Sequence, residues 1–140
     1  MPVQKVVFTT DVVNSLLSYS KMNHPREGIL LIRGKVRKDV ADVTGVVIPP
    51  AAVHARSYSS FNWWMIPVDP SYLGVAHSHP SGYAVPSSED LLHVTGRVMV
   101  IMGFPYTDER CLGVYNREGT RIPFEVVKGK PKPPEFEEYE

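Results

Sequence analysis

Cysteine is almost missing from this chain. Cys111 is the only one in 140 residues, so no disulfide can form within it. That usage fits a reducing, intracellular setting. Net charge is missing too: fifteen basic and fifteen acidic residues cancel. A zero balance removes the electrostatic case for nucleic acid or an anionic membrane as a partner. No apolar run approaches the ~20 residues of a spanning helix. The amino terminus, Met1-Pro2-Val3-Gln4-Lys5, lacks the apolar core of a signal peptide. There is no internal repeat. These absences lead us to expect a soluble, cytoplasmic protein that binds neither nucleic acid nor membrane. Two catalytic signatures are also lacking. There is no HExxH, and a single cysteine cannot supply the P-C-x-x-C of the zinc nucleobase deaminases.

What is present is ordinary globular composition, 43% hydrophobic and 21% charged, in a length that suits one domain. We expect that domain to span residues 1–128. Residues 129–140, rich in proline and glutamate, read as a poorly ordered tail. Val6-Val7-Phe8 opens as a strand. Thr9, Thr10 and Asp11 offer helix-cap chemistry, and Val12, Val13, Leu16 and Leu17 recur at helical spacing, so a helix is expected over residues 11–22. Ile29-Leu30-Leu31-Ile32 reads as a strand buried on both faces, with a turn at Gly34-Lys35. Strands are expected over 40–48, 61–66, the residues leading into His77, and 98–102. Asp69-Pro70-Ser71 is turn chemistry. Residues 87–94 read as a short helix. Two runs, 111–115 and 122–127, flank Arg117-Glu118-Gly119 as a hairpin. Strands and helices mix along the chain, which predicts an α/β domain with a central mixed β-sheet flanked by helices.

The chemistry concentrates in His77-Ser78-His79-Pro80 and Ser87-Ser88-Glu89-Asp90. Side chains alternate along a strand, so His77 and His79 share one face. Asp90 follows eleven residues later, far enough for the loop to fold back toward the same ion. Two imidazoles, a carboxylate and a water make a catalytic zinc site. Zinc lowers the pKa of water there to about 7. Glu27, at the head of the 29–32 strand, is the candidate acid/base, and Ser87 can donate to an oxyanion.

The histidine pair, the seven residues counted from Pro80 to Pro86, and Ser87-x-x-Asp90 resemble the JAMM motif of the MPN-plus (JAB1/MPN) metalloproteases. Glu27 and Gly34 match that family's upstream segment, and Val68-Asp69-Pro70 resembles the one before its histidine strand. The likeness spans roughly residues 11–115. It implies a cytidine-deaminase-like α/β fold with zinc as cofactor. By position, it makes His77, His79 and Asp90 the metal ligands, Glu27 the acid/base and Ser87 the oxyanion donor. It further implies cleavage of isopeptide bonds between a ubiquitin-like small modifier and lysine. Small single-domain members like this chain resemble archaeal enzymes that remove small modifiers, the desampylases. Processing of a sulfur-carrier protein at its C-terminus is an alternative use of the same site. A non-catalytic scaffold is a third, against which the intact ligand set argues.

Blander readings stand beside these. Ser87-x-x-Asp90 is also a capping-box pattern, and a lone glutamate such as Glu27 is most often a solvated charge. His93, one helical turn beyond Asp90, reads as structural. His24 and His54 read as exposed, and Cys111 as a small core residue. The strand at 61–66 carries Trp63 and Trp64, which point to opposite faces. That strand is expected to pair with the modifier's extended Gly-Gly tail. Exposed aromatics or strand edges would also support a homodimer.

Overall fold

A computed structural model describes residues 2–49, 69–87, 96–129 and 135–136. The elements run β1 (Lys5–Thr9), α1 (Thr10–Asn23), β2 (Ile29–Arg37), β3 (Val40–Ile48), β4 (Tyr72–His79), β5 (Val98–Gly103), β6 (Leu112–Asn116), β7 (Phe124–Val127) and β8 (Glu135–Phe136). They form one mixed sheet in the order β6-β5-β4-β2-β3-β1-β7, with β8 beside β3. This is the mixed α/β architecture expected. Among the described residues one α-helix covers the sheet, and none is long and apolar enough to cross a membrane.

The helix forms where the 3.6-residue period demands. Val12, Val13, Leu16 and Leu17 are buried, and they pack with Phe8, Leu30, Ile32, Ala76, Val100 and Met102 in the main core. Its start differs from the expectation. Thr9 occupies the cap position in extended backbone without a side-chain cap, and the Thr10 hydroxyl instead donates to Val127 O at 3.1 Å.

Alternation along the central strands divides the residues between two faces. Val98, Val100 and Met102 of β5 point toward α1 with the main core, while Met99 and Ile101 join Tyr115 in a second cluster on the other face. His77 pairs with Ile29 on one side and Ile101 on the other. Directly paired residues share a face. The histidines therefore lie on the face away from α1, and Ser78 between them points toward it.

Two turns differ from the sequence reading. β2 does not stop at Gly34-Lys35 but runs to Arg37, with a register shift between Arg33 and Gly34. The turn falls at Lys38-Asp39, with Lys38 in left-handed backbone (φ 58°). Gly34 is required by packing: a Cβ there would press on the backbone carbonyl of Asp42 in β3. The expected hairpin around Arg117-Glu118-Gly119 closes only as a turn. Tyr115 and Arg121 form an isolated bridge, and Ile122 N donates to Val114 O at 2.9 Å. β7 then crosses to the far edge and pairs in parallel with β1. Bonding to β1 outcompeted a longer local ladder. In the proline- and glutamate-rich tail, Glu135 and Phe136 run parallel to Val47 and Ile48, beyond the stretch of β3 that β1 covers. Cys111 is half-buried in a 3-10 turn (Glu109–Cys111) against the edge of the core.

Candidate metal centre

β4 carries His77 and His79 two residues apart, and the period-2 pleat brings their rings together. The centroids are 4.9 Å apart, with the planes tilted by 52°. His77 is fully buried and His79 partly so. Two imidazoles this close and this dry are costly as cations and suited to acting as neutral nitrogen donors.

The orientation of His79 is fixed from the loop that follows. Its Nδ1 lies 2.8 Å from the carbonyl oxygen of Tyr83. A carbonyl only accepts, so Nδ1 carries the proton, and in the neutral ring the lone pair sits on Nε2. Metal-binding histidines are commonly held in this way. The loop, residues 80–87, is itself clamped. His79 O accepts from Gly82 N at 3.1 Å and from Phe104 N at 3.2 Å. Tyr115 Oη donates to Ala84 O at 2.6 Å. Two glycines below make room: a Cβ on Gly103 would meet Gly82 O at 3.0 Å, and one on Gly113 would overlap Ala84 O. The loop crosses the histidine face and ends at Ser87, which is exposed.

Glu27 lies 50 residues upstream of His77 in sequence, just before β2, the strand that pairs with the histidine strand. Ile29 pairs with His77 in antiparallel register, and the next residue down is locked twice: Gly28 N donates to Ser78 Oγ at 2.7 Å, and Ser78 N donates to Gly28 O at 3.0 Å. Glu27 lies one residue beyond this lock. Glu27 is half-buried. Gly28 also passes close beneath α1, where a Cβ would come within 2.9 Å of the Tyr19 ring. Burial pushes the Tyr19 phenol above its ordinary pKa, with Asn23 and Arg26 pulling the other way.

The structure brings the His77 and His79 rings together, with Glu27 one residue before the Gly28–Ser78 lock and Ser87 at the end of the loop that leads away from His79. Asp90 lies outside the described residues, as do His93, His54, Trp63 and Trp64 and the strand and helix expected around them. Among the described residues alone, no three His, Cys, Asp or Glu side chains converge as a metal cluster. Two imidazoles, with the His79 tautomer set by Tyr83, fit a borderline cation such as zinc better than a hard one such as magnesium or calcium. His24 is exposed as expected, but it also stacks on Phe104 with centroids 4.5 Å apart.

Two residues of the site were missed in the sequence. The sequence reading assigns Ser78 no role of its own. Its alternate-face position was the available signal that it must bond something on the α1 side. Tyr106 gave no local signal. It is almost wholly buried, with its hydroxyl 3.5 Å from His24 Nδ1. Burial pushes its phenol up, contact with the Ser78 hydroxyl pulls it down, and the Glu27 carboxylate raises it further.

Comparison with known proteins points the same way. Residues 9–113 match the family of prokaryotic homologs of the JAB domain. A probable metalloprotease of Haloferax volcanii is 34% identical over 108 residues, covering 72% of this chain and 67% of that protein. A JAB1/MPN domain protein from Archaeoglobus fulgidus superposes with a TM-score of 0.59 at 28% identity, over 88% of this chain and 97% of that one. A structure described as JAMM, a metalloprotease-like zinc site in the proteasome and signalosome, superposes with a TM-score of 0.58 at 28% identity, over 90% and 99% of the two chains.

Proposed function

The chain belongs to the JAMM (JAB1/MPN) family of zinc metallopeptidases, and from that premise we propose that it is an isopeptidase that releases a ubiquitin-like small modifier from lysine. His77, His79 and Asp90 would hold the zinc. Bound there, zinc supplies Lewis acidity to the scissile carbonyl and makes water acidic near neutral pH. Glu27 takes the proton from the attacking water and gives it to the departing lysine amine. The oxygen of that water bonds to the carbonyl carbon first, and the bond from that carbon to the lysine nitrogen breaks afterwards as the nitrogen takes the proton. Ser87 Oγ donates to the oxyanion that develops between these events.

One observation carries the reading. Two hydrogen bonds tie Gly28, the residue after Glu27, to Ser78, the residue between the two histidines, and this tether supports a carboxylate working beside that strand. A solvated surface glutamate needs no such anchoring. The choice of modifier rests on the motif resemblance in His77-Ser78-His79-Pro80 and Ser87-x-x-Asp90. The test is to offer lysine conjugates and linear fusions of small Gly-Gly-ending modifiers, with and without a zinc chelator. Chelator-sensitive release from lysine is expected. Glu27→Ala should keep its zinc and lose turnover, and an active Glu27→Ala enzyme would overturn the assignment.

A further inference from the structure

We infer that Tyr115 is a positioning residue for His79, acting through the loop that carries the Tyr83 carbonyl. Its effect on metal rests on the reading of His79 as a zinc ligand, while its effect on the histidine ring does not.

The loop lies over the histidine face of the sheet. Ile101 pairs with His77 on one side and with Gly113 on the other, and His79 pairs with Gly103. Directly paired residues share a face. His77, Ile101 and Gly113 therefore form one row, and β6 brings no side chain to it. Tyr115, two residues further along β6, shares that face and lays its ring across the gap. A Cβ on Gly113 would come within 3.1 Å of both Cε2 and Oη of that ring. Met99 and Ile101 cluster with Tyr115, and Ala84 packs against them. The ring is 4% exposed, and its hydroxyl donates to Ala84 O at 2.6 Å. The donor is not in doubt, because a carbonyl only accepts.

This bond brackets Tyr83. On one side, Gly82 N donates to His79 O at 3.1 Å and closes a local turn. On the other, Ala84 O is tied to β6, 31 residues away in sequence. The Tyr83 side chain is 72% exposed, so its neighbours place its carbonyl. That carbonyl lies 2.8 Å from His79 Nδ1, where it accepts the ring proton and leaves the lone pair of the neutral ring on Nε2. If the Tyr83 carbonyl drifts, the proton is free to settle on Nε2 instead, and the lone pair then turns to the loop side. Tyr115 thus acts at one remove: it bonds the loop, and the loop selects the tautomer of the histidine.

Tyr115→Phe keeps the ring over Gly113 and deletes the bond. Zinc affinity, measured on the full chain by competition with a chelator, should fall by about ten-fold, the lower end for supporting groups around a metal. In metal-free protein carrying isotopically labelled histidine, nitrogen NMR reads the tautomer directly. With the ring neutral, wild-type His79 should carry its proton on Nδ1, and Tyr115→Phe should show a mixture of both tautomers. Val114→Ala separates positioning from mere stability. Val114 is buried on the α1 face of the same strand, so its truncation should lower Tm yet keep both zinc affinity and the Nδ1–H ring. A Tyr115→Phe ring that stays wholly Nδ1–H would overturn the inference, as would a wild-type ring protonated on Nε2. An equal loss of zinc affinity in Val114→Ala would overturn it too. If wild-type protein cuts no lysine conjugate, the isopeptidase reading fails, and the His79 tautomer still decides the role of Tyr115. Should Tyr115→Phe not fold, Gly113→Ala crowds the same bond while keeping both of its partners, and an unchanged His79 ring there overturns the inference.

Discussion

Gly113→Ala should dislodge the loop that leads from His79 to Ser87, although Gly113 belongs to a buried strand and carries no chemistry. Gly113 pairs with Ile101 in the β5–β6 ladder. A Cβ there would overlap Ala84 O and lie 3.1 Å from Tyr115 Oη, the two atoms of the 2.6 Å bond that clamps the loop. Neither can retreat easily: the carbonyl is backbone, and Tyr115 is buried. Overpacking of this kind costs about 1–3 kcal/mol, and losing the clamp adds about 1 kcal/mol. Alanine also restricts the unfolded chain, which offsets about 0.4–1 kcal/mol. The net loss is about 1–3 kcal/mol, or roughly 4–12 °C in Tm for a domain of this size. Gly45→Ala is the control. Nothing lies within 4 Å of a Cβ at that position, so only the unfolded-chain effect remains and Tm should rise by roughly 2–4 °C. Thermal melts by circular dichroism compare the two. Conjugate turnover should fall with Gly113→Ala by up to about 100-fold, since a shift of about 1 Å in a reacting group has that consequence. A Gly113→Ala protein that melts with the wild type and cleaves at the wild-type rate would refute the packing account.

Zinc at 100 times its Kd should stabilise the protein by about 2.7 kcal/mol, seen as a rise in Tm of roughly 10 °C that His77→Ala or His79→Ala abolishes. Asp108 is held by Arg110 through its side chain (Nη2 to Oδ2 at 2.8 Å) and its backbone amide (2.9 Å), which lowers the Asp108 pKa from 3.8 to about 2. A depressed carboxylate stabilises the folded state above its unfolded pKa and loses that contribution as pH falls through the folded one. The Tm difference between wild type and Asp108→Asn should therefore be full at about pH 6 and shrink between about pH 4 and pH 2 in melts across that range. For Cys111, burial raises the thiol pKa, but hydrogen bonds from the backbone around Asp108 and Thr107, and from the Thr107 hydroxyl, outweigh it and leave the pKa lowered. Cys111→Ser should nonetheless keep full zinc content by metal analysis, since its turn lies beyond β5, apart from the histidine strand.

The strands and helix that set the core were legible because each signal is local. Val40–Ile48 and Val98–Gly103 are valine-rich runs bounded by turn residues, and the helical period of Val12, Val13, Leu16 and Leu17 survives intact in α1. The same holds for His77 and His79, whose common face follows from the pleat alone. Elements that depend on a distant partner were misjudged. β7 left its hairpin because β1 offered a parallel edge, and β2 ran past Gly34 because that glycine answers to Asp42 across the sheet rather than to a turn.

From the order of its residues alone this chain fixed two imidazoles on one side of a strand, a core of ordinary size and a family likeness. Only the folded sheet could decide that Gly28, next to Glu27, is tied to Ser78 between the two histidines. The reason is physical: periodicity is a property of neighbours along the chain, whereas the Gly28–Ser78 bond joins residues 50 apart. Such a bond exists only once the hydrophobic faces on either side of it have chosen their register.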